Sequence, residues 1–301
     1  IIAVGNLSVG GTGKTPQIEY LIRLLSYNYK VAVLSRGYKR STEGFILADE
    51  KATASSIGDE PFQFYSKFPN IQVAVDANRK YGIENLLQLS NKPDVILLDD
   101  AYQHRKVKAG FYILLTAYDD LFCNDYILPF GNLREPASGK KRADMIIVTK
   151  CPNDLSEIAQ QKIREKLKVK QQVFFTTIQY DDFVFGNDSQ LLVSEIQSES
   201  KVLVAGIAKP KLFFDFLKNE KDDTLVFPDH HHFSKQDCEQ ILAKAKGRKI
   251  ITTEKDFVRL NGLLPKAQLF YLPIKSAFLN KNIDKTIEDY VGQSTVKSVS
   301  V

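Results

Sequence analysis

The sequence predicts an α/β protein: a parallel sheet with helices on both faces, followed by a smaller α/β unit. Three observations predict it. Short apolar runs rich in β-branched residues alternate with helical or polar segments through the first half of the chain. Those runs are apolar at consecutive positions, the pattern of strands buried on both faces. Their spacing leaves room for the crossover helices that parallel neighbours need.

The first run is Ile1-Ile2-Ala3-Val4, read as a buried strand, and "NLSVGGTGKTPQIEYLIRLL" follows from Asn6. Within it Ile18, Leu21, Ile22 and Leu25 recur at helical spacing, with Pro16 tolerated in the first turn. Strand, glycine loop and helix together are the context of a phosphate-binding P-loop. Glycine at 10, 11 and 13 permits backbone angles that let successive N–H groups converge on phosphate oxygens. The helix adds the positive end of its dipole at the same place. Ser8, Val9, Gly10, Gly11, Thr12, Gly13, Lys14 and Thr15 are the candidate ATP-binding segment. Lys14 is expected at the β- and γ-phosphates and the Thr15 hydroxyl on Mg²⁺. Ser8 stands where the general pattern G-x-x-x-x-G-K-[ST] has its first glycine.

Further strands are read from "KVAVLSRGY" at Lys30, "IQVAVDANR" at Ile71, "DVILLDDAYQH" at Asp94, "FYILLTAYD" at Phe111 and "DMIIVTK" at Asp144. Each carries polar residues at its carboxyl end, where open parallel sheets bind ligands. From Gln179 the character changes: "QYDDFVFGNDSQLLV" reads as a hairpin with a Gly-Asn-Asp turn. A second series of strands and helices follows. The expected organisation is a P-loop domain over 1–178, a linker hairpin over 179–199, and a smaller α/β domain over 200–301 ending in a polar, disordered tail after about Asn280. "VTK" from Val148 and "TTEKD" from Thr252 are read as neighbours of the nucleotide.

Asp99 and Asp100 end an apolar run, as a Walker B segment does, and are the candidate Mg²⁺ carboxylates beside Thr15. Tyr102, Gln103, His104 and Arg105 would hang over the same edge as substrate contacts. In "GDEP", Asp59 and Glu60 precede a helix; they read either as favourable acids at a helix start or as a general base for a hydroxyl acceptor. The residues alone favour the first. In "FPDHHHFS" one histidine oriented by Asp229 is a candidate proton-handling group, and a surface turn is the alternative. Arg36 and Arg79 are candidates for gripping an anionic substrate, with structural ion pairs the competing use.

Composition narrows the class. With 44% apolar residues the chain can build a full core, and a mixed-sign net charge of +5 with no basic block argues against a nucleic-acid partner. Cys123, Cys151 and Cys238 are widely spaced, which fits a reducing compartment. No apolar run reaches the length of a membrane span. The chain opens on Ile1 already in a strand, so a preceding segment is expected. Val9 occupies the position where dimeric ATPases with a deviant loop carry an extra lysine, and no guanine-reading N-K-x-D segment is present.

The stretch "VGNLSVGGTGKTP" resembles the start of the tetraacyldisaccharide 4′-kinase family, in which Ser or Thr replaces the first P-loop glycine. "LSRGYKR", "GDEP", "DANR", "LLDDAYQHR", "GNLREP", "RADMIIVTK", "FPDHHHF" and "TTEKDFVRL" resemble its further signatures in the same order, from Val4 to about Leu260. The resemblance implies transfer of the ATP γ-phosphate to the 4′-hydroxyl of tetraacyldisaccharide 1-phosphate, a lipid A precursor, with ATP and Mg²⁺ as cofactors. It implies Asp59 as catalytic base, His230 as the histidine that assists it, and Lys14 at the phosphates. Thr15, Asp99 and Asp100 would hold the metal, and Arg36, Arg79, Gln103, His104 and Glu135 would face the substrate. It further implies an N-terminal hydrophobic helix absent from this chain and peripheral attachment to the cytoplasmic face of the inner membrane, with no obligate protein partner evident. The alternative is a nucleotide-dependent switch or assembly ATPase, which would have no use for the "GDEP" and "DHHH" segments.

Overall fold

A computed structural model describes residues 1–229, 231–279 and 283–299. They divide into two compact units, Ile1–Ile178 with Ser276–Val301, and Gln179–Lys275.

The first unit begins with β1 (Ile2–Asn6), α1 (Lys14–Leu25), β2 (Val31–Ser35), the short β3 (Ile46–Leu47), α2 (Ala54–Ile57) and α3 (Asp59–Lys67). It continues through β4 (Gln72–Val75), α4 (Arg79–Gln88), β5 (Val95–Asp99), β6 (Phe111–Ala117), β7 (Met145–Thr149), α5 (Glu157–Leu167) and β8 (Gln172–Tyr180). Alternate residues of each strand feed opposite cores: Ile2, Val4, Val31 and Val33 pack with α1 and Phe64 of α3, whereas Ala3, Ala32 and Leu34 pack with Ile83 and Leu86 of α4. Burial on both faces is the reason these strands read as unbroken apolar runs.

The second unit holds β9 (Phe183–Phe185), β10 (Gln190–Leu192), α6 (Val193–Ser198), β11 (Lys201–Ala205), α7 (Lys211–Leu217) and β12 (Asp223–Val226). It closes with α8 (Lys235–Ala245), β13 (Lys249–Thr253), α9 (Glu254–Leu260) and β14 (Leu269–Leu272). Its strand order is β10-β9-β14-β13-β11-β12, parallel from β14 to β12 and antiparallel at β9 and β10. The hairpin expected as a linker over 179–199 is therefore part of this sheet, because β9 pairs with β14.

After β14 the chain forms β15 (Ile274–Phe278) and α10 (Ile283–Val299). The first sheet then reads β15-β8-β7-β6-β1-β5-β2-β4-β3. The expectation of a disordered tail belonging to the smaller domain is corrected here. Ile283, Ile287 and Val291, spaced four apart, bury one face of α10 in the same core as Ile18 and Leu21 of α1. That periodicity makes a polar-looking segment amphipathic.

In the first sheet β1 lies between β5 and β6, parallel to both. The connection from β1 runs to β2 on one side, and the connection from β5 crosses to β6 on the other. Divergence of this kind opens a crevice at the carboxyl ends of the strands.

Candidate active site

The glycine loop leaves β1 at Asn6 and enters α1 at Lys14. Gly10 (φ 100°) and Gly13 (φ 83°) adopt the left-handed conformation that other residues resist, and Gly13 is the residue before the helix. A Cβ added at Gly10 would meet nothing within 4 Å, so the loop is open on that side. Neighbouring segments fix its shape. Thr149 Oγ1 donates to Thr12 O (2.8 Å), Lys150 Nζ to Gly11 O (2.5 Å) and Val9 N to Asn132 O (2.7 Å). The loop-side N–H of Val9 is thereby committed within the chain. The "VTK" segment lies against the loop through Thr149 and Lys150.

Lys14 reaches back over the end of β1, donating to Asn6 Oδ1 (3.3 Å) and lying 3.7 Å from Asp100 Oδ1. Asn6 is fully buried and its Nδ2 donates to Ser8 O (2.7 Å), which holds the loop's first turn. Arg134 grips Asp100 with both terminal nitrogens, at 3.2 and 2.9 Å, and also donates to Asn6 O (3.0 Å) and Asn6 Oδ1. Asp100 itself sits at φ 46°, a left-handed turn that swings its carboxylate away from the strand direction.

The two adjacent acids are set apart by their surroundings. Burial, together with the negative charges of Asp100 and Glu60, pushes the Asp99 carboxyl up to about 6 against the pull of Lys14 and Arg79. Burial also pushes Asp100 up, but Lys14 and Arg134 outweigh it and hold that carboxyl below its usual range. Asp99 accepts from Ser35 Oγ (3.2 Å) at the end of β2.

Arg79, buried at the start of α4 behind the capping residue Asn78, donates to Asp76 O (2.9 Å) and Asp99 O (3.3 Å). Burial is the main cause that lowers its pKa. Burial first, then the positive charges of Arg79, Lys106 and Arg36, depress the His104 imidazole, so it stands neutral at pH 7. Arg36 is exposed at the end of β2. These three side chains gather at one part of the sheet edge. Among the described residues, Thr12 Oγ1, Arg79 Nε, Gln103 Oε1, His104 Nε2 and Arg134 Nε are buried polar atoms without a hydrogen-bond partner. Groups left so are costly unless a ligand or water completes them.

Gln103 and Glu135 are placed together. Gln103 Nε2 donates to Asn6 O (2.8 Å) and Glu135 Oε1 (3.0 Å). Glu135 also accepts from Arg142 (2.6 Å) and Arg105 (3.2 Å). Burial raises the Glu135 pKa, but these partners, Arg142 foremost, hold it low. Arg142 in turn stacks on Tyr102, 4.6 Å from the ring centre. Glu135 is thus bonded to Gln103, Arg105 and Arg142.

Asp59 is the first residue of α3, following Gly58 at φ 97°. A Cβ added at Gly58 would lie 3.3 Å from Gly37 Cα and Tyr38 O, so the "GDEP" turn is seated on the "SRGY" turn at the end of β2. The helix is held to α1 by Glu19, a buried carboxylate bonded to Gln63 (2.9 Å), Lys67 (2.7 Å) and Arg23 (2.9 Å). Asp59, half-buried, therefore stands at the same edge as the glycine loop, and its neighbour Glu60 is close enough to act on Asp99. Gly58, not Asp59, is the capping residue. His230 lies outside the described residues. His231 bonds Asp237 (3.0 Å) and stacks on Phe227, which ties it to the start of α8.

Sequence reasoning missed Asn6, Glu19 and Arg134. Asn6 had a visible signal, an amide ending a buried apolar strand; Arg134 lies inside the quoted "GNLREP". Glu19 shows in the sequence only its i,i+4 pairing with Arg23; Gln63 and Lys67, which tie it to α3, lie far along the chain.

Comparison with known proteins points to one family. The family model described as tetraacyldisaccharide-1-P 4′-kinase matches residues 1–291. A tetraacyldisaccharide 4′-kinase of Flavobacterium johnsoniae is 64% identical over 298 residues, covering 98% of this chain and 88% of that protein. One from Bacteroides thetaiotaomicron is 46% identical over 317 residues, covering 97% and 83%. Among solved structures, the "apo" form of LpxK from Aquifex aeolicus in complex with ATP superposes with a TM-score of 0.74 at 28% identity. It covers 97% of this chain and 87% of that one.

Proposed function

The chain belongs to the tetraacyldisaccharide-1-P 4′-kinase family, and from that premise we propose how its residues carry the reaction. It phosphorylates the 4′-hydroxyl of a tetraacyldisaccharide 1-phosphate with ATP, a step of lipid A biosynthesis. One observation supports the residue assignment above the others. Lys14, Arg79, Asp99 and Asp100 converge beside an open glycine loop amid buried polar atoms that lack partners.

The loop amides of Gly10, Gly11 and Gly13, together with Lys14, bind the triphosphate, and the positive N-terminal end of α1 favours the anion. That donor set fits a polyanion, and the adjacent acids fit a divalent cation. Thr15, Asp99 and Asp100 would hold Mg²⁺, which when bound neutralises charge on the phosphate oxygens. Asp100 is kept ionised for that role by Lys14 and Arg134. Asp59 takes the proton of the acceptor hydroxyl as its oxygen attacks the γ-phosphorus in line. The bond to the β-phosphate oxygen breaks and ADP leaves. His230 is the second proton-handling group of this reading. Arg36, Arg79 and neutral His104 bind the acceptor's anionic head group, and Glu135 orients Gln103 toward it.

The acceptor is a lipid, so the reading includes work at the cytoplasmic face of an inner membrane. No helix among the described residues is long and apolar enough to cross one. Labelled ATP supplied with the disaccharide lipid tests the proposal: label is expected in the lipid. Label found only as free phosphate would assign the chain to the switch ATPases instead.

A further inference from the structure

The segment from Tyr126 to Phe130 takes no part in the chemistry above. Tyr126, Ile127, Leu128 and Phe130 are 72%, 44%, 51% and 91% exposed, which makes a continuous apolar tip rather than scattered surface residues. The turn that carries them is closed by its own hydrogen bonds. The Asp125 carboxylate accepts from Tyr126 N (2.7 Å) and Asn132 N (3.1 Å), pinning both sides of the neck. Leu128 N donates to Leu133 O (3.0 Å), Phe130 N and Gly131 N to Ile127 O (3.0 and 3.3 Å), and Leu133 N to Tyr126 O (2.9 Å). Pro129 has no N–H to satisfy. A Cβ at Gly131 would fall 2.2 Å from Asp125 Oδ1 and 2.4 Å from Tyr126 O, so glycine is what allows the neck to close.

The tip thus bonds the N–H groups of Tyr126, Leu128 and Phe130 within its own turn and points its apolar side chains outward. In water that arrangement is unfavourable; in hydrocarbon it is favourable, because donors already bonded lose little on leaving water. The same segment is bonded to the phosphate loop. Val9 N donates to Asn132 O and Arg134 N to Leu7 O, each at 2.7 Å, and Ser8 bridges Leu133.

We propose that the Tyr126–Phe130 tip inserts into the surface of the lipid bilayer that carries the acceptor and so holds the phosphate loop at headgroup level. The proposal rests on the reading of the acceptor as a tetraacylated disaccharide. A convex tip crowned by a phenylalanine offers no groove for a single acyl chain but suits fluid hydrocarbon, with Tyr126 at the polar boundary. The net charge of +5 complements an anionic leaflet.

The test uses the 301-residue chain and a double variant, Leu128→Glu with Phe130→Glu. Binding is measured to vesicles of phosphatidylethanolamine and phosphatidylglycerol without substrate. The variant is expected to bind at least about tenfold more weakly, and its KM for vesicle-embedded acceptor to rise in step. Its KM for ATP and its turnover on a deacylated, water-soluble acceptor are expected to stay unchanged, which also shows that it folds. Equal vesicle binding by both proteins, or none by the unaltered chain, overturns the proposal. So does a raised KM for a monomeric short-chain lipid with vesicle binding intact, which would mark a chain-binding subsite. Loss of turnover on the soluble acceptor would place the tip in the nucleotide site and overturn it too. Vesicle binding needs no catalysis, so it stands or falls separately from the kinase assignment.

Discussion

The edge of the first sheet and the interior of the second unit treat buried charge in opposite ways. At the edge of the first sheet, Lys14, Asp99, Asp100 and Arg79 surround polar atoms that nothing in the described chain completes. In the second unit, fully buried Asp256 accepts from Gly206 N (2.8 Å) and Thr253 Oγ1 (2.6 Å), with Arg259 alongside. The side chains of Lys201 and Asp222, both wholly buried, pair at 2.7 Å, and Asp222 also accepts from Lys201 N and Asn219 N. The first arrangement leaves hydrogen bonds for a ligand or water to complete, while the second completes itself. A polar residue at a strand end is therefore not a site until its hydrogen bonds are accounted for. Within "TTEKD" the aspartate braces the turn at Gly206.

Four substitutions can break or sharpen this contrast. Lys14→Ala carries the largest expected effect, a loss of turnover on the order of 10³–10⁵-fold with weakened triphosphate binding and an unchanged melting temperature. Steady-state kinetics that stay within a few fold of the unaltered protein would remove the loop from the mechanism. Asp59→Ala follows, with an expected loss of roughly 10²–10⁴-fold in kcat and little change in ATP affinity. If the rate survives, the "GDEP" acid is only a favourable charge at a helix start.

Lys201→Met should act on stability alone, costing about 3 kcal/mol by stranding Asp222, as read by urea unfolding. Because Asp222 keeps its two backbone donors, the lower end of the usual range is expected. Asp99→Asn has the smallest effect on folding and the opposite sign. A carboxyl raised from 3.8 to about 6 binds its proton more tightly when folded, so it costs stability as pH rises through that window. The amide should therefore stabilise the ligand-free protein by on the order of 1–3 kcal/mol above pH 6 and not below pH 4, while activity falls. A variant no more stable at pH 7.5 than the unaltered chain would contradict the burial that sets Asp99 apart.

How much of this was legible in the sequence follows from the range of the forces involved. The glycine loop and the paired acids are set by local backbone demands, and they stand out wherever a strand meets a helix. The partition of Asp99 from Asp100 depends first on burial and on Lys14, and then on Arg134 and Glu60, which reach them from distant parts of the chain. No pattern along the chain encodes that meeting. The role of α10 was legible in principle, since Ile283, Ile287 and Val291 share one helical face. It was hidden by the polar residues between them.

That last helix has a consequence for how the protein comes into being. Tyr290 stacks near Phe111, its hydroxyl donates to Ile1 O, and Tyr20 of α1 donates to Asp284. The core behind the phosphate loop is thus closed by residues that leave the ribosome after the whole inserted second unit. Translation delivers the loop early and its support late. During that interval the half-built sheet presents an uncovered apolar face, a natural client for a chaperone.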